Sequence, residues 1–329
     1  MDPAVHDWFR RRTFQRPEWT VPELAELKGE QRVSLVLPAL DEQETVGRVV
    51  STLLPLTGPG RSGEQPLVDE LVVVDSGSVD RTVAVAERAG ARVLRREDVL
   101  PRCAPRPGKG EVLWRSLAAT DGDLVVFVDA DLTRCEADIV PALLGPLLSS
   151  AEPVLVKGFY RRPLETGAVL PAAEEASGGG RVTELLARPL LSALRPELSG
   201  VVQPLAGEYA ARREFLESVP FAPGYGVEIG LLLDAHSAYG LDGLAQVNLG
   251  VRGHLHQDLA ALGVMSRQVL DTALRRCGVV GTDVASAPFD QFRFEDGSAV
   301  LHRSDVLVED RPPMRTMAGR CTDPSSVIV

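Results

Sequence analysis

An α/β fold with a mostly parallel sheet flanked by helices is predicted by three observations. Short apolar runs alternate with helical stretches over the first 150 residues. The runs are continuous rather than polar–apolar alternating, as in strands buried on both faces. Polar loops follow three of these runs, where a parallel sheet binds its ligands.

The elements follow in order. Residues 1–30 are polar and interrupted by Pro, and read as an N-terminal arm with a short helix near Val21–Lys28. Arg32–Pro38 is the first buried strand and Thr45–Leu54 the helix behind it. Glu70–Val74 is the second strand. Asp80-Arg81-Thr82 opens an Ala/Val-rich helix that stops near Ala89-Gly90, where Gly suits a C-cap. Ala91–Leu94 is a short third strand, Gly110–Ala119 a helix and Asp123–Val128 the fourth strand. Residues 31–150 therefore form one Rossmann-like part. A different texture marks 151–280, a second part: strand Leu155–Tyr160, an Ala/Glu/Gly-rich stretch at 165–180 and an amphipathic helix over Arg181–Leu194. Residues 281–329 have weak periodicity and read as an extended tail that packs on the body or on a second subunit.

With 329 residues, 44% of them hydrophobic, the chain can bury a large core. A formal net charge of −11 disfavours nucleic acid and anionic membranes as partners. Cys103, Cys135, Cys277 and Cys321 show neither metal-finger nor redox spacing, so a reduced, cytoplasmic protein is expected. Neither a secretory signal nor a run long enough to span a bilayer is found in the sequence.

Six constellations can carry chemistry. Asp129-Ala130-Asp131 ends the fourth strand; its two carboxylates suit a divalent cation and the diphosphate it neutralises, or are two solvated acids in a turn. Asp75-Ser76-Gly77-Ser78 lets a backbone approach a ligand, or caps the next helix. Lys109, in Arg106-Pro107-Gly108-Lys109-Gly110-Glu111, precedes a helix start that favours phosphate, or lies in a solvated surface loop. Gly178-Gly179-Gly180-Arg181-Val182-Thr183-Glu184 feeds a second helix start and forms either a second anion site or a plain linker. Glu228, after Pro223-Gly224-Tyr225-Gly226-Val227, can bond a sugar hydroxyl or serve the helix dipole. His254 and His256, two apart, offer a third ligand beside the aspartates.

Together with Val36-Leu37-Pro38-Ala39-Leu40-Asp41-Glu42 and Asn248-Leu249-Gly250-Val251-Arg252, these motifs resemble the glucosyl-3-phosphoglycerate and mannosyl-3-phosphoglycerate synthases, from about residue 15 to 280. The resemblance implies a type-A glycosyltransferase fold, Rossmann-like, and a homodimer, with 31–150 as the nucleotide-sugar-binding part and 151–280 as the acceptor-binding part. It implies retaining transfer of a hexose from a nucleotide diphosphate sugar to the 2-hydroxyl of D-3-phosphoglycerate, with Mg²⁺ or Mn²⁺. By that resemblance Pro38, Ala39, Leu40, Asp41, Glu42, Ser76, Asp129, Ala130 and Tyr225 lie at the nucleotide sugar. Asp131, Lys109 and Glu228 serve catalysis, Lys109 and Glu228 also touching the donor. Asp131 and His254 hold the metal, and Gly180, Arg181, Val182, Thr183 and His256 bind the acceptor. Two departures stand out: Asp41 and His256 occupy positions where the glucosyl members usually carry Asn. They leave GDP-mannose, GDP-glucose and UDP-glucose all open as donors. An inverting transferase on the same fold and a non-catalytic sugar-nucleotide-binding regulator are the rival readings.

Overall fold

The structure is a computed structural model and describes residues 2–58, 65–161, 180–251, 258–281 and 288–317. In chain order the elements are α1 (Pro3–Arg12), β1 (Thr13–Phe14), α2 (Val21–Lys28), β2 (Val33–Ala39), α3 (Val46–Leu53), β3 (Glu70–Asp75), α4 (Thr82–Arg88), β4 (Arg92–Arg95), α5 (Lys109–Ala119), β5 (Leu124–Phe127), α6 (Ile139–Ser149) and β6 (Leu155–Arg161). A π-type turn, Thr183–Ala187, then runs into α7 (Arg188–Leu194), β7 (Tyr209–Arg212), α8 (Arg213–Ser218), α9 (Val227–Tyr239), β8 (Leu244–Val251), α10 (Leu259–Arg276), β9 (Phe289–Glu295) and β10 (Ser298–Ser304).

Eight strands form one sheet in the order β1-β8-β6-β7-β5-β2-β3-β4. Neighbours run parallel except at β7, which is antiparallel to both β5 and β6. The reversal has a consequence for the site. The start of β7 comes to the same edge as the carboxyl ends of β2, β3 and β5, so residues 206–208 join the loops gathered there. Successive strand residues face opposite sides of the sheet. Val36, Val72 and Phe127 pack into one core layer, and Leu35, Val73 and Val126 into the other.

Three sequence expectations are corrected. The N-terminal arm holds a second helix, α1, capped by Asp2, whose carboxylate accepts from the Ala4 amide at 2.8 Å. Val5 and Trp8 on α1 are buried, and Trp8 Nε1 donates to the Leu244 carbonyl at 3.0 Å. The single helix expected over Arg181–Leu194 is broken: the Arg188 amide bonds five residues back to the Thr183 carbonyl, and Pro189 has no amide to restore the regular ladder. The 281–329 tail contains an antiparallel hairpin, β9–β10, and a strap in which Arg311 exchanges backbone bonds with Phe221. Trp114 Nε1 donates to the Pro312 carbonyl at 2.8 Å and holds that strap on α5. No helix among the described residues is long and apolar enough to cross a membrane.

Candidate active site

At the carboxyl edge, the loops after β2 and β3 are stitched to each other. Asp41 stands in the left-handed region, φ 56°, which Asp tolerates. Its carboxylate accepts from the Val79 amide at 2.8 Å, and its amide donates to Ser78 Oγ at 2.9 Å. The Glu42 amide donates to Thr82 Oγ1 at 2.7 Å, and the Ser76 amide to the Ala39 carbonyl at 2.8 Å. The Asp75 carboxylate accepts from the Gly77 and Ser78 amides. Asp75 thus closes its own turn and does not cap α4; the carboxylate at that helix start is Asp80, which accepts from the Thr82 amide at 2.8 Å. Ser76 lies beside Arg96, whose Nη1 donates to its hydroxyl at 3.4 Å. Ala39 is buried and Leu40 half-exposed at the rim, with Pro38 between them and the core.

Lys109 occupies the first position of α5 and pairs with two carboxylates, Asp129 and Glu228, the second at 2.8 Å. Two close backbone approaches allow this. A Cβ at Gly108, which has φ 100°, would lie 2.9 Å from Gly224 Cα, and one at Gly110 would overlap the Ala222 carbonyl. Only glycines let the start of α5 press against the Pro223–Gly226 turn and so reach Glu228 at the start of α9. Glu228 is buried, so it does more than complement the helix dipole. Burial works against the Lys109 ammonium, but Asp129 and Glu228 outweigh it and hold its pKa well above the ordinary lysine value. Tyr225 sits on the same turn, partly exposed, with its amide bonded to Gln268 Oε1 at 2.9 Å.

Asp131 follows two residues on; its Oδ1 is buried, as is Ala130 between the two aspartates. Burial, and next the Asp131 carboxylate, push Glu42 up to about 7, with Asp129 and Asp80 adding to the rise and the Thr45 hydroxyl opposing it. Carboxylates gathered at one sheet edge fit a divalent cation of the hard, oxygen-loving kind. Among the described residues no three His, Cys, Asp or Glu side chains form a complete cation site. His254 and His256 lie outside the described residues.

Gly180, Arg181, Val182 and Thr183 open the π-type turn, with Gly180 at φ 83° and the Glu184 amide bonded to its carbonyl at 2.9 Å. Val182 and Thr183 are buried and Arg181 is exposed. This turn and the Gly224–Gly226 turn both pack on α10, which places the two around one helix.

Sequence reasoning missed three residues at the site: Lys157, Gly207 and Glu208. Lys157 and Glu208 are buried, and Lys157 lies in electrical reach of Glu228, Lys109 and Glu208. The local signal was Lys157 as a lone cation in an apolar strand; Glu208 immediately precedes β7.

A parallel sheet whose carboxyl edge gathers acidic loops, a buried lysine and glycine turns defines an enzyme of nucleotide-activated sugars. Residues 34–169 match the family Glycosyl transferase family 2, and the chain is a glycosyltransferase. The chain belongs to the glucosyl-3-phosphoglycerate synthases. It is 56% identical to the glucosyl-3-phosphoglycerate synthase of Mycolicibacterium smegmatis, over 96% of this chain and 99% of that protein. The enzyme of that name from Petrotoga mobilis is 40% identical over 95% of this chain and 96% of its own. The crystal structure of the Mycobacterium tuberculosis enzyme in complex with Mn²⁺, UDP-glucose and phosphoglyceric acid superposes with a TM-score of 0.81. It is 51% identical and covers 93% of this chain and 98% of that one. A second structure of that enzyme, with Mg²⁺ and UDP, gives 0.82 at 51% identity, covering 93% of this chain and 99% of that one.

Proposed function

We propose that the protein transfers glucose from UDP-glucose to the 2-hydroxyl of D-3-phosphoglycerate, with the anomeric configuration retained. The observation that carries this reading is the shared pairing of Lys109 with Asp129 and Glu228 beside Asp131. It brings an ammonium and two carboxylates together at the edge where a diphosphate and its metal would bind. The relatives' donor and acceptor support the choice of UDP-glucose.

In this reading Asp131 and His254 hold Mg²⁺ or Mn²⁺, which supplies Lewis-acid stabilisation of the leaving diphosphate. Lys109 faces the developing negative charge as a fixed donor. Pro38, Ala39, Leu40, Asp41, Glu42 and Ser76 line the nucleotide, with Asp129, Ala130 and Tyr225 nearer its sugar, and Glu228 fixes both Lys109 and a hexose hydroxyl. Gly180, Arg181, Val182, Thr183 and His256 hold the phosphoglycerate near the anomeric carbon. The test is a donor panel of UDP-glucose, GDP-glucose and GDP-mannose with D-3-phosphoglycerate and Mn²⁺, read by product mass and anomeric NMR. Faster transfer of mannose than of glucose, or an inverted product, overturns the reading.

A homodimer is part of the same proposal. Phe292 (70% exposed), Phe294 (82%) and Leu301 (49%) stand open on the β9–β10 hairpin, and a lone two-stranded sheet is marginal without cover. Phe292→Asp with Phe294→Asp should convert a dimer into a monomer by light scattering; an unchanged mass removes the hairpin from the interface.

A further inference from the structure

We infer that Lys157 is a positioning residue that sets the Lys109–Asp129 pair through the Ala206–Gly207 peptide. The inference rests on the proposed reaction for its kinetic arm only.

Lys157 lies in the middle of β6, registered against Tyr209 of β7 and Gln246 of β8, and is 3% exposed. A lysine there is costly, since its neighbours Leu155, Val156, Phe159 and Tyr160 are buried hydrophobics. Its ammonium donates to the Ala206 carbonyl at 2.6 Å and rests 4.7 Å from the Tyr209 ring centroid. That carbonyl belongs to the peptide that joins Ala206 to Gly207. A Cβ at Gly207 would overlap Asp129 Oδ2 and lie 2.6 Å from Lys109 Nζ. The Gly207 backbone is thus the wall against which the pair is seated, and Lys157 is the group that orients it.

The segment is tied at both ends by other means. Gln203 exchanges two hydrogen bonds with the Tyr160 backbone, at 3.1 and 2.6 Å, and the Gly158 amide donates to the Glu208 carbonyl at 2.9 Å. These bonds keep the segment on β6 without Lys157. What Lys157 adds is the orientation of the middle peptide, together with a positive charge among Glu228, Glu208 and Asp129. Lys157 is too buried to reach a substrate, so its effect on chemistry is indirect and geometric.

The experiment compares Lys157→Met, Gly207→Ala and the double variant with the unsubstituted protein, by amide exchange and by steady-state hexosyl transfer. In Lys157→Met the Ala206 amide, bonded at 3.2 Å to the Gln203 carbonyl, should exchange at least about tenfold faster, with β5 amides unchanged. The kcat should fall about 10- to 100-fold while both KM values stay within about threefold. The double variant should lose no more kcat than Gly207→Ala alone, because the two changes act on one peptide. Unchanged exchange at Ala206, a kcat within twofold, or additive losses would falsify the inference. If Lys157→Met does not fold, Lys157→Gln is put through the same measurements. A protein that turns over no sugar nucleotide defeats the proposed reaction, and the exchange arm then decides the role of Lys157 by itself.

Discussion

Helix α5 carries two ion clusters two residues apart, and they are built to different rules. At its first residue, Lys109 is shared by Asp129 and Glu228. On its next face, Glu111 accepts from Arg115 at 2.6 Å and from two Arg311 nitrogens at 2.6 and 2.8 Å. Arg115 and Arg311 spend their remaining donors on the Val99, Cys103 and Ala104 carbonyls. Burial would raise Glu111, but Arg311 and Arg115 hold it below the usual carboxylate range. Their partners separate the two. The Glu111 cluster is saturated and locks the C-terminal strap onto the body. The Lys109 cluster shares one ammonium between two carboxylates at the sheet edge where the loops after β2 and β5 meet.

The comparison breaks first at the Lys109 cluster. Lys109→Met should lower turnover about 10²- to 10³-fold, the scale of removing one fixed donor from a developing anion. Asp131→Ala should remove metal-dependent turnover altogether while circular dichroism and melting stay near those of the unsubstituted protein. Full activity of either variant at saturating Mn²⁺ would end the functional assignment.

The saturated cluster should answer in stability instead. Arg311→Met leaves a buried Glu111 with half its partners and should cost about 3 kcal/mol in urea unfolding. Turnover per folded molecule should stay within twofold. A variant that unfolds normally but loses catalysis would merge the two clusters into one machine.

The smallest effect is a pH dependence. Burial, reinforced by Lys109 and opposed by Glu228, Glu208 and Asp129, pulls Lys157 down from 10.5 to about 8. A base depressed in the folded state costs stability while it is charged, and that cost lifts as pH rises from 8 towards 10.5. Between pH 7 and 9 the unsubstituted protein should therefore gain about 1 kcal/mol relative to Lys157→Met. No relative gain in chemical denaturation across that range contradicts the depressed value.

Much of the site was legible because its residues follow strands. Asp129 and Asp131 close an apolar run, Lys109 opens a helix between glycines, and Glu228 opens another; each pattern is local. The roles inside those motifs were less legible. Asp75 and Asp41 are polar residues in the right loops, yet their carboxylates are bound to backbone amides. The meeting of Lys157 with the Gly207 segment could not be read, because nothing in Leu155–Phe159 or Leu205–Glu208 tells that one segment lies across the other. The hairpin was missed for a different reason: β9 and β10 have little buried surface to impose a period of two.

By itself, the sequence determined the succession of strands and helices, the acidic and glycine loops, and the kind of chemistry those loops serve. Backbone propensity and burial act over a few residues, and their traces are written contiguously. Only the tertiary structure decided that β7 runs against its neighbours, that Lys109 is held by two carboxylates, and that a buried lysine orients the wall behind them. Those facts depend on which distant segments share a few ångströms. The outcome is set by packing and charge balance over the whole fold, and no local pattern carries it.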